Sequence, residues 1–247
     1  MHVREEEPVR RHLPLRGAGT FERWIEVDDE EELVACVRAL RAEKLAIRLV
    51  HPFADALPPE GGAAGAALRL GAGFEGIAPH EHGLRVGASA MLCQVGRQPG
   101  FEVFARAPGC LADAMDEGWI LPAVVSARRF RGRSVEDIAP FEADPKSIVL
   151  SAVLRPAVRV APPRAGQAFR DLRRGSLRSV LAKAGVAGMR LHGAALATDD
   201  AAVLVNRGDA EPRDLRLLLA AVRDKVKAAT GVDLDDRLLA PGRGGRL

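Results

Sequence analysis

The sequence predicts an α+β fold, and three observations predict it. Amphipathic helical stretches of unequal length recur along the chain, short apolar runs end at turn-forming residues, and 247 residues can bury a sizeable core in two or three lobes. Leu33 to Leu40 (LVACVRAL) follows the acidic run Asp28 to Glu32, so a helix with a negatively charged first turn is expected there. Ala46 to Val50, Ala66 to Leu70 and Leu84 to Ala88 are brief strand candidates. Pro58, Pro59, Gly61, Gly62 and the alanines up to Ala67 predict a flexible surface segment. Pro156, Ala161, Pro162 and Pro163 predict a rigid linker.

Beyond that linker the signals sharpen. In Ser176 to Ala184 (SLRSVLAKA), Leu177, Val180 and Leu181 form one apolar stripe, and Gly185 supplies a stop. Leu191 to Ala197 and Ala201 to Asn206 predict a pair of strands parted by Thr198, Asp199 and Asp200. Glu211 to Lys227 carries Pro212 near its start, Leu215, Leu218, Leu219, Val222 and Val226 on one face, and Lys225 and Lys227 in its final turns, the marks of an amphipathic helix. It closes at Gly231, and the alternation of Val232 to Leu239 (VDLDDRLL) predicts an exposed strand. These boundaries divide the chain into lobes 1–70, 71–160 and 161–247, with a frayed tail from Pro241 to Leu247.

Composition excludes several classes. No apolar run approaches the ~20 residues of a membrane span, and no signal-like stretch precedes the charged opening Met1 to Arg11, so a cytoplasmic protein is expected. The +3 formal charge comes from 36 basic and 33 acidic residues that are well interspersed, which argues against nucleic acid as a partner. The densest basic cluster, Arg128, Arg129, Arg131 and Arg133, reads as a solvated strand or loop sooner than as a phosphate-binding patch. Cys36, Cys93 and Cys110 lack metal or disulfide spacing and read as small buried hydrophobes; Cys110 draws more interest for the loop it occupies. His80 and His82 flank Glu81 with no third ligand in reach by sequence, so no metal is expected.

The order of small motifs in the last third carries more. Ala165, Gly166 and Phe169; Leu181, Ala184, Gly185 and Gly188; Gly193 and Ala194; Leu204, Val205, Asn206 and Gly208; Ala210, Asp214 and Leu215; and Val222 through Leu234 follow one another almost without gaps. This succession closely resembles the C-terminal, substrate domain of the UDP-N-acetylenolpyruvoylglucosamine reductase family. Val86 to Ala90 (VGASA) matches the family's VGAGA turn, and Arg16 to Gly19 (RGAG) part of its RxGG turn. The resemblance implies a FAD-binding fold of the vanillyl-alcohol-oxidase (PCMH) type in two lobes, 1–70 and 71–160, followed by a substrate-like domain, 161–247.

The same resemblance implies a flavin reductase, yet the positions that would carry the chemistry hold other residues. The family's GGGSN loop falls on His51, Pro52, Phe53, Ala54 and Asp55. A pyrophosphate cradle needs converging backbone N–H groups and permissive glycines; Pro52 has no N–H, Phe53 adds bulk and Asp55 adds negative charge. The second loop, PGTVGGA in the family, becomes Pro108, Gly109, Cys110, Leu111, Ala112, Asp113 and Ala114, with Ala112 and Asp113 in place of the glycine pair. The resembled reaction passes a hydride from a nicotinamide cofactor through FAD to an enolpyruvyl ether, with a serine protonating the carbanion and a glutamate and an arginine assisting. Gln167 stands at the serine's place in Arg164 to Leu172 (RAGQAFRDL), Arg170 at the lysine's and Asp171 at the asparagine's. A glutamine amide is too weakly acidic for general acid work. Arg237 takes the glutamate's place, and a one-residue shift would offer Asp236 instead at the expense of matches at Gly231, Val232 and Leu234. The family's YRxS motif should fall on Ala139 to Ser147, which holds neither Tyr nor Arg.

The expectation is therefore a catalytically inactive relative of the reductase, regulating or binding a cell-wall synthesis protein, with no cofactor, or FAD should the loops prove competent. Two alternatives stay open: a working FAD- and NADPH-dependent reductase with rewired loops, or a UDP-sugar binding module served by Arg170, Arg173, Arg174 and Arg178.

Overall fold

A computed structural model describes the chain except residues 14, 16–18, 52–62, 140–146, 157, 161, 164–165, 173–174, 209 and 239–247. Ala161 of the linker, Ala165 and the terminal tail from Pro241 lie outside the described part, as do Pro58, Pro59, Gly61 and Gly62 of the expected surface segment; its alanines from Ala63 to Ala67 instead form part of a central strand, with Ala63, Ala66 and Ala67 buried between neighbouring strands.

In the N-terminal region, β1 (His2–Pro8), β2 (Thr20–Val27), β3 (Ile47–Leu49) and β4 (Ala63–Leu70) form a sheet in the order β1-β2-β4-β3, with helix α1 (Glu30–Ala42) crossing between β2 and β3. β1 runs antiparallel to β2, whereas β4 lies parallel to both β2 and β3. Asp29 caps α1 by accepting the Glu32 N–H at 2.8 Å, and Glu30, Glu31 and Glu32 fill its first turn where the helix dipole favours anions. Leu33, Cys36, Val37 and Leu40 make its buried stripe. β3 and β4 approach so closely at Gly65 (φ +85°) that a Cβ there would sit 2.4 Å from the Ala46 carbonyl oxygen.

The middle region is an antiparallel sheet of β5 (Ile77–His80), β6 (Gly83–Gly87), β7 (Val124–Arg131), β8 (Ser134–Ile138) and β9 (Ser147–Leu154), ordered β5-β6-β9-β7-β8. Between β6 and β7 the chain forms helices α2 (Leu92–Val95) and α3 (Leu111–Glu117). The sequence reading passed over β9 (SIVLSAVL) because a strand buried on both faces shows no alternation. Ile148 and Leu150 join the core beneath α1, while Val149, Ala152 and Leu154 join the core around α2 and α3. A bulge resets the alternation: Arg128 and Arg129 of β7 face Ser151 and Val149, and Leu150 is passed over.

In the C-terminal region, α4 (Leu177–Lys183) is capped by Ser176, and α5 (Pro212–Thr230) opens on a Glu211–Asp214 capping box and ends at Gly231 in the left-handed conformation. The expected strand pair is three strands, β10 (Arg190–Leu191), β11 (Ala194–Leu196) and β12 (Leu204–Asn206), because the run from Leu191 turns at His192, whose φ is +48°. The predicted exposed strand over Val232 to Leu239 does not form in its described part, 232–238. That stretch makes a single bridge, Asp236 to Phe169, and turns Leu234, Arg237 and Leu238 inward. Leu15 from the N-terminal region packs into this core, and its carbonyl accepts the Asn206 side-chain amide at 2.8 Å. Among the described residues no helix is long and apolar enough to cross a membrane, and no group of three His, Cys, Asp or Glu side chains could hold a metal ion.

Candidate functional site

The VGASA turn and the second loop are stitched together by their main chains. Leu92 N–H donates to the Gly109 carbonyl at 3.2 Å, Leu111 N–H to Ala90 at 3.1 Å and Ala112 N–H to Ala88 at 2.9 Å. A phosphate cradle works by leaving such amides free to converge on an anion; here those of Leu111 and Ala112 are spent inside the protein. Gly109 adopts φ +72°, and a Cβ on it would lie 2.5 Å from Asp113 Oδ2, so a carboxylate covers the turn's most open backbone. Asp113 thus sets a carboxylate beside Gly109 at the start of α3, and the described loop does not fit a phosphate dianion at that turn. Cys110, at the N-cap of α3, is fully buried; burial pushes its thiol up to about 12, with the Asp113 charge adding to the shift, so it remains a protonated hydrophobe and no nucleophile.

Of the first loop only His51 lies among the described residues; Pro52, Phe53, Ala54 and Asp55 fall outside them. His51 Nε2 lies 3.0 Å from Asp116 Oδ2, tying the start of that loop to α3. Burial works against the imidazolium, but the Asp116 hydrogen bond and the charges of Asp116 and Asp113 outweigh it and hold His51 above its ordinary value.

The structure brings Gln167 and Arg237 together. Both are buried, and Arg237 Nη1 donates to the Gln167 main-chain carbonyl at 3.3 Å. The Gln167 side-chain amide donates to the Phe169 carbonyl at 2.9 Å and to Asp171 Oδ1 at 3.3 Å. Arg237 reaches across the lobes to Glu117 at the end of α3, with Nε 3.1 Å from Oε2 and Nη2 2.8 Å from Oε1. Of the two contacts only the one through Nε is aligned as a hydrogen bond, and the arginine side chain is 4% and the glutamate 16% exposed. The sequence reading missed Glu117, which no motif marks. A signal existed in the inverted charge at Arg237, since a buried guanidinium demands a carboxylate partner. Asp236, the shifted-register alternative, goes elsewhere: its Oδ2 accepts from Arg223 of α5 at 2.8 Å. Burial pushes its carboxyl up, against the pull of Arg223.

Neither Gln167 nor Arg237 offers a proton donor or acceptor of useful strength. The guanidinium does not deprotonate, the glutamine amide has no usable acidity, and Glu117 is engaged by Arg237. Arg173 and Arg174 of the basic group near the third region's start, and residues 140–146 at the place of the YRxS motif, lie outside the described residues. Arg178 meets Asp200 at 3.7 Å at an exposed position.

Comparisons with known proteins agree on the relationship. The C-terminal domain family of UDP-N-acetylenolpyruvoylglucosamine reductase matches residues 157–238. The chain is 26% identical over 277 residues to UDP-N-acetylenolpyruvoylglucosamine reductase 2 of Symbiobacterium thermophilum, spanning 94% of this chain and 90% of that protein. It is 25% identical over 287 residues to the reductase of Phenylobacterium zucineum, spanning 96% and 94%. The crystal structure of UDP-N-acetylenolpyruvylglucosamine reductase from Thermus caldophilus shares the fold, with a TM-score of 0.71 at 18% identity over 97% of this chain and 98% of that one.

Proposed function

The chain is a divergent member of the UDP-N-acetylenolpyruvoylglucosamine reductase family, and we propose that it has left the redox reaction and serves peptidoglycan precursor synthesis as a non-catalytic, partner-binding or regulatory protein. The observation that carries this reading is the Gln167–Arg237–Glu117 cluster. At the two positions where the resemblance calls for a proton-donating serine and a glutamate, this chain holds a glutamine and an arginine, and the arginine is tied down by a carboxylate from the neighbouring lobe. The committed amides of Leu111 and Ala112 and the carboxylate of Asp113 over Gly109 point the same way, since they oppose the docking of a dinucleotide.

The competing reading, a working reductase with rewired loops, draws on the near-complete coverage of relatives that bear the reductase name. An absorbance spectrum of the purified protein separates the two. The proposal expects a colourless protein that fails to oxidise NADPH in the presence of UDP-N-acetylglucosamine enolpyruvate. A stoichiometric flavin spectrum, or substrate-dependent NADPH oxidation, ends it.

A further inference from the structure

The basic cluster on β7 is split in two by the fold. Arg128 is consumed by Glu30 and Asp137, and Arg129 by Glu136. Arg133, in the hairpin turn, is not: it faces a cleft of about 490 Å³ between the β7–β8 hairpin and the C-terminal half of α1, whose opposite wall carries Arg38 and Arg41. Those two arginines stand three residues apart and so share one helix face. Val34 is the partly open part of the cleft's apolar lining, and Val37 and Phe130, 1% exposed each, close its floor. No carboxylate among the described residues pairs with Arg38, Arg41 or Arg133, although carboxylates neutralise Arg128 and Arg129 earlier on β7. The main-chain carbonyl of Gly132 accepts from Arg41 and fixes the spacing of the two walls.

We propose that this cleft is a docking site for an acidic segment of a partner protein, one that carries carboxylates on either side of an aliphatic or aromatic side chain. The apolar side chain seats against Val34 over the floor closed by Val37 and Phe130, and the carboxylates reach the guanidinium groups on both walls, which can each bind one in a two-point fork. A compact phosphate matches the cleft less well. The charges stand on opposing walls over an apolar lining, and no lysine, serine or threonine contributes to it. The inference deepens the partner-binding reading and rests on it, while drawing on residues remote in sequence from the Gln167–Arg237–Glu117 cluster.

The test is fluorescence anisotropy with a labelled synthetic peptide in which Glu alternates with Leu and Phe, read against the same peptide with Gln for Glu and against inorganic tripolyphosphate. Wild-type protein binds the acidic peptide in a salt-sensitive manner, and the double substitution Arg38→Ala/Arg133→Ala weakens binding by roughly tenfold or more, whereas Arg106→Ala leaves it unchanged. Circular dichroism checks that the double variant keeps its fold; should it not, Arg38→Gln alone replaces it. Absence of binding, equal binding of the Gln peptide, an equal loss in Arg106→Ala, or binding of tripolyphosphate alone overturns the proposal. So does a dimer in sedimentation that the double variant abolishes, since a second copy would then be the occupant. A yellow protein that binds the peptide would end the non-catalytic reading and leave the docking site standing; a colourless one that ignores the peptide would do the reverse.

Discussion

Two arginine–carboxylate contacts join distant parts of this molecule, and they differ in burial. Arg237 of the C-terminal region grips Glu117 of α3 with the arginine buried and the carboxylate 16% exposed, whereas Arg128 of β7 grips Glu30 of α1 with the two side chains 35% and 37% exposed. Geometry differs as well: Arg128 makes two hydrogen bonds to Glu30, whereas Arg237 makes one to Glu117 through Nε and holds Nη2 near the carboxylate by charge. The larger difference is water. A solvated pair exchanges one favourable environment for another and contributes little, but a buried pair is stable only while both charges remain, because either alone would be stranded in a poorly solvating interior. The largely buried pair therefore works as a lock between the C-terminal region and α3, and the pair on the surface as a replaceable tether.

Removing one side of each contact gives the largest test of that contrast. Arg237→Met takes the guanidinium away from the largely covered Glu117 carboxylate and should cost up to about 3 kcal/mol in urea denaturation, with part of the loss recovered in Arg237→Met/Glu117→Leu. Should the single variant prove no worse than a surface substitution, burial is not what distinguishes the two contacts. A middle case is the His51–Asp116 contact, which is buried on the histidine side and half open on the aspartate side. Its folded-state value lies above the ordinary 6.5, so its stabilisation is fully present below that pH and is lost as pH rises through the raised value. Wild-type stability should accordingly decline with rising pH in that window relative to His51→Gln, measured by denaturant midpoints across buffers. The smallest effect belongs to the tether: Arg128→Ala should cost about 0.2–1 kcal/mol, and less in high salt.

Legibility follows the same division between local and distant causes. α5 could be read because its capping box, its apolar stripe and Gly231 all lie within the segment they define. α1 was legible for the same reason, through its acidic first turn. β1 and β2 were not, since only one residue of β1 is fully buried and β2 finds its pattern through partners on either side. β9 escaped because both of its faces are covered. At the site, Gln167 and Arg237 were legible as departures from a motif, but Glu117 was not, because its role depends on a partner 120 residues away. The expected strand after Gly231 failed on similar grounds. Its alternation was genuine, but Arg237 had a largely covered carboxylate to meet, and that contact fixed which side faced inward.

One consequence of β9 reaches past the site. Phe130, Ile148 and Leu150 supply part of the wall against which α1, β3 and β4 bury their apolar sides. A fragment stopped at Leu70 would retain its sheet on paper yet leave Leu33, Val37 and Leu68 facing solvent where that wall had been. Fragments cut there should clump or stay molten when expressed alone, and regain order when the missing piece is supplied in trans.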